Sequence, residues 1–362
     1  MKLVNRKRGS HLSLFIAISF VIVAISNLSA VAQQPKDAAV DFNGDGKTDI
    51  SILRSAGFGT QMTWWNLESG TGNVTTLDLG TRAIDQPVAA DYDGDGKDDI
   101  AVYRFTGPEA GNWYILQSST GTFRIEKFGI TRDNPTIVDD YDGDGKDDLA
   151  VYRQSSSVVG QSYFFYKGSL NNPDGNITYV PWGMRYGTQS TQGDDPYTGD
   201  FDGDGKADFG IQRAVDTAST SDGPALFWVL LSSGGTKIEY FGNKSDRVVP
   251  GDYDGDNKVD IAVARGFNIS PGNTTWYIRY SSGIPDDATI FGAGFNFAQG
   301  DYDGDGKTDI AYFILGATPE EIGFWYLASA TNNESRFVRW GARPAFPSPG
   351  AGDLPAAGYN NR

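Results

Sequence analysis

The stretch "DYDGDGKDDIAVYR" (residues 91–104) packs five aspartates and two glycines into nine positions and then turns apolar. Near copies begin at Asp41, Asp140, Asp200, Asp252 and Asp301, so successive first aspartates lie 50, 49, 60, 52 and 49 residues apart. Periods of this size, with several short strand signals each, predict a propeller or an array rather than unrelated domains. The second repeat parses into four strands, "QPVAA" (86–90), "DIAVYR" (99–104), "NWYILQS" (112–118) and "TFRIEKFG" (122–129). Gly107, Pro108, Gly111 and Gly121 punctuate its turns. In the middle two strands both faces carry large or apolar groups, as in a sheet covered on two sides by neighbouring sheets. The expected fold is all-β, a β-propeller of four-stranded antiparallel blades.

Six complete repeats cover residues 37–341. The tail "FPSPGAGDLP" (346–355) resembles one further first strand, with Asp353 near the first acidic position, but no loop follows it. Six blades plus a closing strand in 342–362 fit this count; seven stay open if the tail and the N-terminal segment combine. The third strand recurs as "TWWNL" (63–67), "NWYIL" (112–116), "LFWVL" (226–230), "TWYIR" (275–279) and "FWYLA" (324–328), with "SYFFY" (162–166) in the third repeat. An aromatic repeated at one strand position is expected to pack between blades rather than to stack on sugars. Insertions at 169–197 and 214–225 make the third and fourth repeats irregular.

The acidic loop has the chemistry of a cation site. Alternate residues Asp91, Asp93, Asp95, the carbonyl of Lys97, and Asp99 can converge on one point where Gly96 lets the chain turn. This all-oxygen set suits calcium; magnesium prefers a stricter octahedron, and zinc would want histidine or cysteine. The loop is no EF-hand, because its twelfth position is Val102 and its flanks are strand-like. The other candidate ligand sets are Asp41, Asn43, Asp45, Lys47 and Asp49; Asp140, Asp142, Asp144, Lys146 and Asp148; and Asp200, Asp202, Asp204, Lys206 and Asp208. The last two sets are Asp252, Asp254, Asp256, Lys258 and Asp260, and Asp301, Asp303, Asp305, Lys307 and Asp309. Asn43 makes the first set one charge poorer. Asn257 replaces a loop glycine, and asparagine tolerates the left-handed backbone. Up to six structural Ca2+ ions are expected.

The stretch "FGITRDNPTIVDDYDGDGKDDLAVYR" (128–153) resembles the FG-GAP or VCBS repeat of integrin α-subunit propellers and many secreted bacterial proteins. Phe128–Gly129, Phe241–Gly242 and Phe291–Gly292 match its "FG" element, and Trp182–Gly183 and Trp340–Gly341 are aromatic variants. The resemblance spans nearly the whole chain after the leader and implies a β-propeller with calcium between the first two strands of each blade. Integrin propellers have seven blades, whereas here six motifs are complete.

The first 32 residues read differently. Lys2, Arg6, Lys7 and Arg8 precede the apolar run "LFIAISFVIVAI", and "AVA" ends at Ala32. This is the expected form of a secretory signal peptide, leaving 33–362 as one propeller domain, extracellular or periplasmic. The only histidine, His11, falls in that leader, and the chain has no cysteine. The formal charge of −16 becomes still more negative without the leader's four basic residues, which argues against nucleic acid as a partner. No later segment is apolar enough to insert in a membrane, and a monomer is expected.

Catalysis lacks familiar parts. Without histidine or cysteine, hydrolytic triads and thiol enzymes are excluded. The Glu320–Glu321 pair in "ATPEEIG" is the one candidate for paired carboxylates, and its position in a turn argues for solvent. Arginine ends the second strand in five repeats, at Arg54, Arg104, Arg153, Arg213 and Arg265, with Ile314 in the sixth. Such a ring could recognise anionic sugars or acidic peptides; pairing with neighbouring acidic loops is the simpler expectation. The expected function is a binding or adhesion module for an extracellular glycan or protein, with the insertions as the contact region. The alternative is a calcium-dependent enzyme, a lyase or hydrolase of extracellular polysaccharide using tyrosine, arginine or lysine chemistry.

Overall fold

A computed structural model describes residues 39–187, 193–215, 223–266, 273–292, 296–315, 322–328, 334–342 and 352–356. The expected leader, the Glu320–Glu321 pair and parts of both insertions lie outside the described residues. Within residues 34–362 the chain forms a six-bladed β-propeller, and no helix occurs among the described residues.

The second blade shows how sequence makes a blade. Its strands Asp85–Pro87, Ile100–Arg104, Asn112–Leu116 and Phe123–Lys127 pair antiparallel in chain order. Burial falls outward: Ala101, Val102 and Tyr103 are buried in succession, Asn112–Leu116 alternates, and Phe123–Lys127 alternates between half-buried and exposed. The doubly apolar second strand is therefore the one covered on both faces, and the alternating outer strands are covered on one. Blades four to six repeat this order with second strands Asp208–Ala214, Ile261–Arg265 and Ala311–Leu315.

The ring closes through the tail. Gly352–Pro355 pairs antiparallel with Ile50–Ser55 and supplies the first strand of blade one. The Ala356 N–H continues that ladder to Ser51, and the Asp49 N–H donates to the Val40 carbonyl farther along. Both ends of the described chain thus line one strand, as the six-blade count requires. Asp353 does not stand at a first loop position. It sits where Asp85 sits in blade two, opposite the arginine of its blade.

Blade three departs from the pattern. Its first strand is reduced to the isolated bridges Asn134↔Tyr152 and Asp139↔Asp148. Pro135 has no N–H to continue the ladder, and Asn134 Oδ1 accepts the Thr136 N–H instead. A separate two-stranded ribbon pairs Val159–Gln161, ahead of the insertion, with Met184–Tyr186 inside it.

The third-strand aromatics pack between blades. Trp64, Trp113 and Trp276 are fully buried, with Phe164, Phe227 and Phe324 at the same register. The indole N–H donates 15 residues ahead, to the carbonyls of Leu79, Phe128 and Phe291. These carbonyls directly precede Gly80, Gly129 and Gly292, all at positive φ. A Cβ on Gly129 would come within 2.7 Å of the Tyr103 hydroxyl, so the "FG" glycine is fixed by backbone and by space.

Candidate metal centre

Each acidic loop leads into the second strand of its blade, and in blades two, four, five and six it follows the first strand directly in the chain. In the second loop, Asp91 Oδ1 accepts the N–H groups of Gly94 (2.6 Å) and Asp95 (3.2 Å), and Oδ2 accepts that of Gly96 (2.9 Å). The same fork recurs on Asp41, Asp140, Asp200, Asp252 and Asp301. Such a nest of N–H groups requires left-handed residues, and Gly94 and Gly96 stand at φ 80° and 82°. Asn257 adopts φ 63° in the same role, as its sequence position suggests.

Carboxylates converge as the alternation predicts, though not in one uniform set. Asp140, Asp142 and Asp148 bring ligand-capable atoms within 4.8 Å of one another, as do Asp200–Asp202–Asp208, Asp252–Asp254–Asp260 and Asp301–Asp303–Asp309. In the second loop the gathered set is Asp91, Asp93 and Asp95. The first loop has Asn43 at its second position and forms no such carboxylate trio among the described residues. The third aspartates hold the loop itself: Asp45, Asp95, Asp144, Asp204, Asp256 and Asp305 accept the N–H of Lys47, Lys97, Lys146, Lys206, Lys258 and Lys307.

Electrostatics leave these loops frustrated without a cation. Burial pushes the Asp49, Asp99 and Asp208 carboxyls up to about 6, Asp260 to about 7 and Asp148 to about 8. Neighbouring loop carboxylates add to the rise in each case. Asp99 Oδ2 and Asp142 Oδ1 are buried acceptors with no hydrogen-bond donor. Carboxyl oxygens, several to a loop and partly undonated, fit a hard cation of flexible coordination, which would favour their charged form.

Two features of the site escaped the sequence reading. The first is a serine in the turn between the third and fourth strands. Ser69, Ser118, Ser169, Ser232 and Ser281 donate their backbone N–H to the last aspartate of their loop and their hydroxyl to the third. The second is a belt between loops. The N–H groups of Asp98, Asp147, Ala207, Val259, Thr308 and Thr48 donate to the carbonyls of Asp41, Asp91, Asp140, Asp200, Asp252 and Asp301, the first aspartates of the preceding loops. The Lys97 side chain lies across Gly44, Lys146 across Gly94, and so on until Lys47 crosses Gly304. Lys47 Nζ also donates to the Asp303 carbonyl at 2.8 Å.

The rim arginines do not pair with the acidic loops, contrary to the simpler expectation. Arg54, Arg104, Arg153, Arg213 and Arg265 each donate Nε and Nη2 to Asp353, Asp85, Asp133, Asp194 and Asp246, respectively. These aspartates belong to the incoming segment of each blade and are buried. Each also accepts an N–H from the crossover that enters the blade, at Ala342, Thr81, Ile130, Met184 and Asn243. The reason for the difference is distance. The second strand separates its arginine from its loop by about five residues, roughly 17 Å. A sequence signal existed: an aspartate stands six or seven residues before the loop in the four repeats from the second to the fifth.

Residues 41–102 match the family model described as FG-GAP-like repeat. No curated protein matches the chain. Among solved structures, the crystal structure of the exotype rhamnogalacturonan lyase YesX is similar over 85% of this chain and 56% of that one, at 12% identity and a TM-score of 0.34. The chain therefore spans little more than half the length of that protein. The match over 41–102 runs from the first acidic loop into the second strand of blade two, and that segment is similar to an FG-GAP-like repeat.

Proposed function

We propose that this chain is an exported, calcium-stabilised propeller that acts as a binding module for an extracellular protein or glycan. The observation that carries this reading is the contrast between the two ends of each blade. At the acidic end all six loops are nearly copies and are belted to one another. At the arginine end the connections after the second strand, "AGFGTQ" (56–61), "FTGPEAG" (105–111), "QSSSVVGQ" (154–161) and "GFNISPGNT" (266–274), share neither length nor chemistry. A rigid repeated frame that presents varied loops on one side is the organisation of a recognition surface.

Calcium would be held by the first, second and last acidic positions in loops three to six and by Asp91, Asp93 and Asp95 in the second loop, with Asn43 in place of the second carboxylate in the first. Its charge would offset the mutual repulsion of buried carboxylates and fix the hairpin. Affinity in the range of extracellular modules, roughly 10⁻⁴–10⁻³ M, is expected. Export is supported by the leader-like sequence of residues 1–32. The test is an array of glycans and extracellular proteins probed with and without calcium, run beside a reducing-sugar and unsaturated-product assay on pooled polysaccharides. Calcium-dependent binding without product supports the proposal; product formation overturns it in favour of the lyase or hydrolase reading.

A further inference from the structure

The five rim guanidiniums share one geometry, and two of them carry something extra. With Nε and Nη2 committed to the buried aspartate, Nη1 lies outside the fork. In blade two the Arg104 guanidinium sits 4.8 Å above the Tyr114 ring centroid. Glu109 closes this corner: its carboxylate accepts from Arg104 Nη1 and, at 3.0 Å, from the Tyr114 hydroxyl. The Asn112 amide donates to the Tyr114 oxygen at 3.3 Å, which leaves the hydroxyl hydrogen for Glu109. Blade two thus holds a carboxylate of its own in a site built from one guanidinium and one phenol.

Blade five repeats the two donors, and among the described residues no second acid joins them. Arg265 is held by Asp246 at 2.8 and 2.7 Å and lies 4.7 Å over the Tyr277 ring. Its side chain is 39% exposed, against 20% for Arg104. The connection that follows, "GFNISPGNT" (266–274), contains no aspartate or glutamate, whereas "FTGPEAG" (105–111) supplies Glu109. At the equivalent ring position the other three arginines lie over Trp65, Phe165 and Trp228, none of which has a hydroxyl.

We infer that Arg265 and Tyr277 form a carboxylate-binding subsite that takes an acidic side chain from a loop of a protein ligand. The guanidinium is already oriented by Asp246 and the ring, so a charge-assisted bond forms there without ordering a free side chain. The internal occupant shows the mode of entry, since Glu109 reaches the corner carboxylate first from a passing loop. A formal charge of −16 disfavours a polyuronate chain more than a single acid on an otherwise neutral loop. The inference rests on the binding-module reading and deepens it to one ligand group.

The test uses the calcium-loaded chain with ¹³C-labelled tyrosine rings, with Tyr277 and Tyr114 assigned through Tyr277→Phe and Tyr114→Phe. The probe is an acetylated, amidated peptide Gly-Gly-Glu-Gly-Gly; its glutamine counterpart and galacturonate are the comparison arms. The glutamate peptide should shift Tyr277 saturably and leave Tyr114 unmoved. In Glu109→Ala both rings should respond, because the blade-two corner is then vacated. Arg265→Lys, which keeps the charge beside Asp246, should weaken the Tyr277 response roughly tenfold by losing the oriented fork. No Tyr277 response, or an equal response to the glutamine peptide, overturns the subsite. A response to galacturonate alone overturns the assignment to protein side chains. A positive array with a silent Tyr277 removes the subsite and keeps the binding module, and a silent array with a responding Tyr277 does the reverse.

Discussion

Blade two and blade six differ at the rim position that carries arginine in five of the six repeats. In blade two a buried aspartate, Asp85, holds Arg104 and the N–H of Thr81, so one ion pair locks the crossover onto the second strand. In blade six the arginine position is Ile314, and Phe295 stands six residues before Asp301, where Asp85 stands before Asp91. Both sequence positions are apolar in this repeat. A lone buried carboxylate or a lone guanidinium would cost more than either complete solution. The rim position thus varies between repeats, whereas the acidic loop sequence recurs in all six.

That comparison can be broken most forcefully at the loops. Stripping calcium with EDTA should produce the largest effect, because each site held at 100 times its dissociation constant contributes about 2.7 kcal/mol. Thermal unfolding followed by circular dichroism should shift down by more than about 10 °C. Next comes the packing that both blades share. Trp113→Ala should cost about 3–5 kcal/mol in urea unfolding, since a fully buried indole and its bond to the Phe128 carbonyl are lost.

The lock itself is sharpened by a double variant. Arg104→Ile alone should cost about 3–5 kcal/mol by stranding the buried Asp85 carboxylate. Asp85→Phe with Arg104→Ile, which copies blade six, should recover part of that loss, and additive costs would show the pair to be uncoupled. The smallest effect is expected at the first loop. Asn43→Asp gives it the carboxylate that the other five loops have, and its calcium affinity should rise several-fold in a calorimetric titration, roughly 1 kcal/mol.

Much of this was legible in the sequence because the repeat is written in residues that side-chain chemistry constrains tightly. The alternating aspartates, the loop glycines and Asn257 announced both the hairpin and its positive-φ positions. The tail was legible as a first strand, and Gly352–Pro355 completes blade one. What stayed hidden depended on partners brought in from another part of the fold. Asp85, Asp133, Asp194, Asp246 and Asp353 look like ordinary turn residues until the arginine of their blade's second strand binds them. The turn serines follow their loop's last aspartate at intervals from 19 to 24 residues, because the hairpins between differ in length, and a fixed-spacing motif misses them. Blade three misled for a local reason, since Pro135 interrupts a ladder that the repeat pattern alone would continue.

The central claim, that the repeated acidic loops are calcium fasteners and that recognition belongs to the opposite rim, has one direct measurement. Native mass spectrometry of the purified chain, before and after a calcium titration, counts bound ions without reference to any ligand. Stepwise additions of calcium mass that saturate at six, or at five with a weaker sixth for the loop containing Asn43, are predicted. A chain that stays folded and takes up no calcium would contradict the account.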